Sequence, residues 1–191
     1  EKIIVAKPEF TEVITTLKVD LDANKIHFFY PSFPRSFKNF EVILDAIAFL
    51  SDAIKAKTQF HFTTVKDTKT NYAQFLLKKY GDLKPVNFMG EITREQLLSY
   101  YNSIDCLIFP SKLETWGLPL TEAKSYHKPI LAANLPYAKE AIGNYENVSF
   151  FEPTSPEELA DLITKFVSKT IIFQGNEDKL INENSLENWN E

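Results

Sequence analysis

Short apolar runs alternate with longer segments of helical periodicity from residue 26 onward. A short, mostly apolar run is typical of a buried strand, and apolar residues spaced three and four apart are typical of a helix with one buried side. The alternation predicts repeated βα units, and therefore an α/β fold with a mostly parallel sheet. The predicted strands are Ile26–Tyr30, Gln59–Val65, Val86–Met89, Cys106–Phe109, Ile130–Ala133 and Val148–Phe151.

Helix signals occupy the segments between these strands. Thr93 and Gln96 form a capping box, and Ser155 followed by Pro156 combines an N-cap with a first-position proline. Helices are predicted to begin near Phe40, Asn71, Thr93, Pro119, Tyr137 and Pro156. The first of them is expected to bury one face made of Phe40, Ile43, Leu44, Ile47 and Ala48.

Six strands with intervening helices fit one doubly wound, Rossmann-like domain with the strand order 3-2-1-4-5-6. In that order the winding reverses between the first and fourth strands, and open α/β sheets bind ligands beyond the carboxyl ends of the strands at such a reversal. The loops at this position are residues 32–38 and 111–118. We therefore expect the functional site where these two loops meet.

The second of these loops contains the most distinctive chemistry in the sequence. Glu114 and Glu122 are separated by seven residues, which include Gly117 and Pro119. The proline suits a first helical position, and the glycine lets the backbone turn or approach a ligand closely. A helix start attracts a diphosphate, and two acids beside it can accept hydrogen bonds from sugar hydroxyls. Either acid alone is more simply a surface carboxylate, whereas the pair in this turn favours a ligand site.

The first loop supplies positive charge. Arg35 and Lys38 precede a predicted helix, where a cation opposes the helix dipole by roughly 0.3–1 kcal/mol. A bound pyrophosphate would offset that cost, with Arg35 acting as a planar fork and Lys38 as a point charge. Two solvated surface cations explain this part of the sequence about equally well.

Composition narrows the function class. A 44% apolar content is ample for a core, and the formal charge of −5 argues against general binding of nucleic acid or anionic membranes. The single cysteine, Cys106, excludes a disulfide framework and favours a reducing compartment. The glycine spacing disfavours NAD enzymes and P-loop NTPases. His27 and His61 alternate with strand residues, so they are interpreted as sheet positions, and no metal cluster is predicted.

One stretch resembles a known family. The sequence SKLETWGLP at residues 111–119, followed by Glu122-Ala123, is similar to the signature of the group 1 (family 4) retaining nucleotide-sugar glycosyltransferases of GT-B fold. KPILA at residues 128–132 resembles the strand that follows in that family. Thr115 stands where the family usually has a first glycine, and His127 stands where a glycine usually precedes the strand.

The resemblance implies roles for individual residues. Glu122 would bind the ribose hydroxyls, and Glu114 would contact the transferred sugar. Lys38 matches the family lysine that neutralises the leaving diphosphate. Arg35 would share this role, although it lies two residues beyond the usual arginine position of the family, which Phe33 occupies. The remaining implied contacts to the nucleotide-sugar are Thr115, Trp116, Gly117 and Leu118 near the sugar and phosphates, and Met89 and Gly90 near the base. The donor is a substrate, and neither a cofactor nor a metal ion is expected.

The family pattern also implies what this chain is a part of. Residues 26–172 would form the donor-binding half of the enzyme, preceded by a segment of uncertain role at 1–25 and followed by a polar tail at 173–191. A missing N-terminal domain would bind the acceptor, a glycan or a lipid-linked sugar, so the chain alone is expected to be poorly active. The complete protein is expected to be cytoplasmic, with a peripheral position at the membrane as the alternative, and to serve polysaccharide biosynthesis.

Two other interpretations stay open on the sequence. A nucleotide-sugar epimerase or hydrolase could use the same architecture with a different acid and base set. A non-catalytic α/β interaction domain could retain the motif without using it. Nucleotide affinity and product analysis distinguish these alternatives from a transferase.

Overall fold

The structure, a computed structural model, describes residues 15–63 and 70–176. It confirms the predicted α/β architecture: six strands form one all-parallel sheet in the order β3-β2-β1-β4-β5-β6. This is the doubly wound order, with its reversal between β1 and β4. The strands are β1 Ile26–Tyr30, β2 Thr58–Phe62, β3 Val86–Phe88, β4 Cys106–Phe109, β5 Ile130–Ala133 and β6 Val148–Phe151.

Helices connect these strands, as expected for parallel neighbours. They are α1 Phe40–Phe49, α2 Asp52–Ala56, α3 Asn71–Tyr80, α4 Arg94–Ser103, α5 Leu118–Ser125, α6 Pro136–Ile142 and α7 Pro156–Val167. The Thr93–Gln96 capping box is present, and Ser155 accepts a hydrogen bond from the Glu158 amide at the start of α7. Among the described residues, no helix combines the length and apolar character needed to cross a bilayer.

Several details of the helix and strand predictions were wrong. β3 ends at Phe88, one residue before the predicted Met89. Ala48 is exposed, because the buried face of α1 runs through Val42 and Ala46 and ends at Ile47. The short helix α2 was not predicted, since five residues are too few to show a helical period. β2 ends at Phe62, and the Thr63 side chain instead bonds to both the amide and the carbonyl of Ser32. The predicted continuation to Val65 lies outside the described residues.

The core lies on both faces of the sheet. β1 and β4 are apolar and almost fully buried, as parallel strands covered by helices on both sides usually are. Phe28 stacks on Phe60 with ring centroids 4.9 Å apart and also meets Phe166 of α7 at 5.6 Å. Cys106 belongs to this core, and burial raises the pKa of its thiol well above the usual value.

The segments that flank the domain are tied to it where they are described. The amide of Thr15 donates to the hydroxyl of Tyr126 at 3.0 Å, and the amide of Val19 donates to Ser103 at 2.7 Å. At the other end, the Asn176 side chain donates to the Lys139 and Gly143 carbonyls. Residues 1–14 of the N-terminal segment and residues 177–191 of the polar tail lie outside the described residues.

Two buried histidines form a hydrogen-bonded chain across β1, β2 and β3. The side-chain amide of Asn87 lies 3.3 Å from Nδ1 of His61, and Nε2 of His61 lies 3.0 Å from Nδ1 of His27. Nε2 of His27 lies 2.9 Å from the carbonyl oxygen of Asp22. With Asn87 donating at one end and Asp22 accepting at the other, every member is satisfied when both rings are neutral. The interpretation of both histidines as sheet positions agrees with this arrangement.

The hydrogen bonds of these two histidines predict that the fold is sensitive to acid. Burial, with a smaller contribution from the neighbouring His27, lowers the pKa of His61 from 6.5 to about 4. The unfolded chain therefore takes up the proton at a higher pH than the folded chain does. The unfolding free energy has its full value above pH 6.5 and decreases as the pH falls toward 4. We expect His61 to account for about 2 kcal/mol of the unfolding free energy lost between pH 6.5 and 5. Urea unfolding of the parent and of His61→Gln at both pH values measures the difference.

The control is His127→Asn. His127 is exposed and has a positive φ of 53°, which asparagine tolerates. This variant should keep the pH dependence of the parent. An equally steep loss of stability in His61→Gln would contradict the assignment to His61.

Candidate functional site

The two loops expected to meet do lie side by side at the carboxyl ends of β1 and β4. The Lys112 amide donates to the Phe37 carbonyl at 2.7 Å, which fastens one loop to the other. Nζ of Lys38 lies 2.5 Å from Oε1 of Glu114, and both side chains are largely buried, with 20% and 13% of their surfaces exposed. The structure thus brings two of the predicted site residues into one ion pair across the sheet reversal.

Asn39 fixes the path of the first loop and was missed in the sequence. It is buried, has a φ of 57°, and stands between a 3₁₀ turn at Ser36–Lys38 and the start of α1. Its side-chain amide donates to the carbonyl of Pro110 at 3.1 Å and to that of Pro153 at 2.8 Å. It therefore ties the loop after β1 to the loops after β4 and β6. Asparagine suits this position because it tolerates left-handed backbone geometry and supplies two donors.

Two tyrosines support the backbone on either side of the ion pair. The Tyr30 hydroxyl donates to the Lys38 carbonyl at 2.8 Å, and the Tyr137 hydroxyl donates to the Ser111 carbonyl at 2.5 Å. Burial raises the pKa of both phenols, and the nearby Glu114 carboxylate adds to the effect. Both hydroxyls therefore stay protonated and keep donating.

The turn into α5 requires a glycine. Gly117 has a φ of 80°, and a Cβ there would meet the Leu120 side chain at 3.2 Å and the Phe109 ring at 3.6 Å. Leu118 is the first helical residue and Pro119 the second, so Pro119 lies one position further into the helix than predicted. The predicted contacts in this turn differ in exposure: Thr115 and Leu118 are exposed, Trp116 is half-buried and Gly117 is buried.

Glu122 is buried within α5 and forms an ion pair with Arg94, the first residue of α4. The Arg94 side chain is 55% exposed, so the ion pair extends from the protein interior to the surface. Burial and the nearby Glu122 carboxylate raise the pKa of Tyr101 well above its usual value. Arg94 was not singled out in the sequence, because no local pattern connects the start of α4 to a residue 28 positions later.

The structure separates the remaining predicted residues from this ion-paired group. Arg35 is exposed, and its side chain forms no ion pair or hydrogen bond with any described residue. Met89 and Gly90 follow β3 and are half-buried, and Gly90 has a φ of 87°. They precede a cavity of about 200 Å³ beyond the carboxyl ends of β1, β2 and β3, which is lined by Pro31, Ser32, Phe33, Thr63, Glu91, Ile92 and Leu97.

A second cavity, of about 490 Å³, lies at the opposite end of the sheet. It is bordered by residues 18–23 and by His27, Ser103 and Asp105 near the amino ends of β1 and β4. It contains none of the predicted site residues. Within the described residues, no group of three or more metal-ligating side chains is arranged to hold a metal ion.

The sequence is similar to those of known proteins. The family model described as "Glycosyl transferases group 1" matches residues 18–185. The O-antigen chain mannosyltransferase RfbU of Salmonella typhimurium is 29% identical over 79 residues, which are 40% of this chain and 22% of that protein. The chain thus spans about a fifth of the length of this relative.

Solved structures show the same fold. Alr3699/HepE of Anabaena, crystallised with UDP-glucose, matches 78% of this chain and 40% of its own with a TM-score of 0.65 at 21% identity. Sucrose-phosphate synthase of Thermosynechococcus elongatus matches 78% of this chain and 38% of its own with a TM-score of 0.65 at 20% identity. This chain therefore spans less than half of each.

Asn39 offers a test of how the site is held together. We expect Asn39→Ala to lower the unfolding free energy by about 2–4 kcal/mol, because it leaves two buried carbonyls without their donor and forces alanine into left-handed geometry. Asn39→Gly also removes the donors, but glycine adopts the left-handed backbone geometry without strain. Its unfolding free energy should therefore be about 1 kcal/mol higher than that of the alanine variant. Urea unfolding measures both. Equal stability of the alanine variant and the parent would show that the loop is held by other contacts.

Proposed function

This chain belongs to the group 1 glycosyl transferases, and we propose that it is the donor-binding domain of a family 4, retaining enzyme of GT-B fold. The observation that carries the proposal is the Lys38–Glu114 ion pair at the β1–β4 reversal, because Glu114 lies in the turn that leads into α5, the helix of the buried Glu122. We propose that this cation, the two acids and the start of α5 face one donor site. These are the groups that a diphosphate joined to two polyhydroxylated rings requires.

The proposed contacts follow the chemistry of each group. Glu122 accepts hydrogen bonds from the ribose hydroxyls, and Glu114 accepts them from the transferred sugar. The start of α5 and the ammonium group of Lys38 face the diphosphate, with Arg35 at its exposed side. The backbone at Thr115, Trp116, Gly117 and Leu118 approaches the sugar, and Met89 and Gly90 lie toward the base.

Lys38 can serve the acid and the phosphate together. An ammonium group has three donors, and among the described residues only Glu114 accepts from Nζ. Two donors stay available for phosphate oxygens without breaking the existing pair. Glu114 would in turn hold the ammonium in place while its second oxygen meets a sugar hydroxyl.

The proposed reaction breaks the bond between the anomeric carbon and the phosphate oxygen, and forms a bond from that carbon to the oxygen of an acceptor hydroxyl, whose proton passes to the departing diphosphate. Negative charge develops on the departing diphosphate, where Lys38 and the amino end of α5 are preorganised to stabilise it. We propose that this stabilisation takes the place of a metal ion, and that the new bond keeps the configuration of the old one.

The acceptor side lies outside this chain in our proposal. The chain covers 40% of the Alr3699/HepE chain and 22% of the mannosyltransferase RfbU, which leaves room in such proteins for a second domain. We propose that such a domain binds a glycan or lipid-linked acceptor in the cytoplasm, peripheral to a membrane. The 191-residue chain alone is then expected to bind a donor but to transfer its sugar poorly.

Calorimetric titration with UDP-, GDP- and ADP-sugars tests the proposal, and the same titration of Glu122→Gln tests the role of this acid in donor binding. The variant keeps the shape of Glu122 but loses a charged acceptor, so we expect the affinity for the preferred donor to fall about 10- to 100-fold. Glu140→Gln, an exposed acid on α6, is the matched control and should bind as the parent does. Unchanged affinity in Glu122→Gln would favour a domain that carries the motif without using it.

Lys38 gives a second, independent prediction. Lys38→Ala should lower the affinity for nucleoside diphosphates about 10- to 100-fold and leave the affinity for the unphosphorylated nucleoside unchanged, because only the phosphates contact the ammonium group. Titrations of both ligands measure the contrast. Lys112→Ala, an exposed lysine in the adjoining loop, is the control. The double variant Lys38→Ala/Glu114→Gln should regain part of the loss, since it removes the unpaired acid beside the phosphates.

The Lys38 experiment can fail in an informative way. If Lys38→Ala lowers the affinities for the nucleoside and for the nucleoside diphosphate equally, the lysine lies near the base or the ribose instead. A larger loss in Arg35→Ala than in Lys38→Ala would transfer the diphosphate role to Arg35.

A further inference from the structure

We propose that the 200 Å³ cavity beyond β1, β2 and β3 selects guanine, and that the Glu91 carboxylate is the group that recognises it. The inference rests on the proposed donor-binding function and names the class of donor: a guanosine diphosphate sugar. It concerns a side chain that the roles proposed above leave unused.

The size of the cavity suits one ring system. Sites that enclose whole small-molecule ligands usually measure about 300–1,000 Å³, so a space of 200 Å³ is too small for a complete nucleotide-sugar. Its apolar lining includes Phe33, Ile92 and Leu97, and the Phe33 side chain is 62% exposed. An accessible phenyl ring and two aliphatic side chains offer the faces between which an aromatic base packs.

The position of the cavity matches the order of groups in a nucleotide-sugar. Leu97 of α4 lines the cavity, and Arg94 at the start of the same helix pairs with Glu122, the proposed ribose acid. The Lys38–Glu114 pair follows at the ends of β1 and β4. We therefore infer that the base occupies the cavity and the ribose lies at Glu122, which Arg94 links to the helix that lines the cavity, while the diphosphate and the sugar lie at Lys38 and Glu114.

Glu91 is the one polar side chain of this cavity that forms no hydrogen bond with the described residues. The hydroxyl of Thr63 already accepts from the Ser32 amide and donates to the Ser32 carbonyl, and the Ser32 hydroxyl donates to the Phe33 carbonyl. The Glu91 carboxylate is exposed and forms no hydrogen bond or ion pair with any described residue. Two carboxylate oxygens are thus available to a ligand.

Among the common bases, guanine best fits a free carboxylate. Its N1–H and N2 amino group are adjacent donors that match the two oxygens in a bidentate, charge-assisted contact. Uracil presents a single N3–H between two carbonyl oxygens, which a carboxylate repels. Adenine and cytosine each place a ring-nitrogen acceptor beside their amino group. The larger purine ring also covers more of Phe33 than a pyrimidine does.

The test is a set of titrations of the full 191-residue chain with GDP, IDP and UDP. We expect GDP to bind at least about 10-fold more tightly than UDP, and IDP, which lacks the N2 amino group, to lie between them. Glu91→Gln should reduce the ratio of GDP to UDP affinity by about 10-fold, because the amide offers only one acceptor oxygen. Since Glu91 is exposed and unpaired, this variant should keep the thermal stability of the parent.

Glu95→Gln is the matched control. Glu95 is also exposed, lies four residues away in the first turn of α4, and does not line the cavity. Its loss of charge should act on all three diphosphates alike and leave the ratio unchanged. Equal binding of GDP and UDP by the parent, or an unchanged ratio in Glu91→Gln, would overturn this inference while leaving donor binding intact. If none of the three binds and the UDP-, GDP- and ADP-sugars fail to bind as well, the proposed function itself fails, and the guanine assignment fails with it.

Discussion

The pairing of β1 with β4 is the constraint on which the site depends. Phe28 pairs with Cys106 and Phe29 with Leu107, and all four residues are buried, so the apolar sheet interior holds the two strands together. Both strands run in the same direction, and their carboxyl ends open onto the same edge. No helix separates the loops there, because the chain winds away to opposite sides at this reversal. Two segments more than 70 residues apart in sequence can therefore share one crevice.

Charge inside that crevice has to be balanced, and the fold balances it in pairs. A largely buried ammonium or carboxylate without a partner is costly, so Lys38 and Glu114 each make the other tolerable. The same holds for Glu122, whose burial is compensated by Arg94. Each pair joins two different elements of the fold. The electrostatic requirement thus also fixes the relative positions of the loops and helices that form the site.

Sequence reasoning predicted what is periodic or local and missed what is neither. Hydrophobic patterning located the six strands, because buried parallel strands are mostly apolar runs, and the doubly wound topology then predicted their order. The turn signature around Glu114 identified one wall of the crevice. Asn39 and Arg94 were missed because each acts through partners far away in the chain, which no local pattern records. The exposure of Ala48 depended on where the buried face of α1 ends, which its apolar spacing alone does not determine.

The pairing of charges also limits which ligands fit. Lys38 and Arg94 are each partly engaged by an acid, so the crevice is not a simple cationic patch that any phosphate would neutralise. Free phosphate would bring its negative charge close to two carboxylates, which repel it. A ligand whose phosphates lie between hydroxyl-bearing rings can place donors on those carboxylates and anionic oxygens on the cations and the start of α5. The proposed ligand, a diphosphate flanked by two sugars, would satisfy the acids and the cations together.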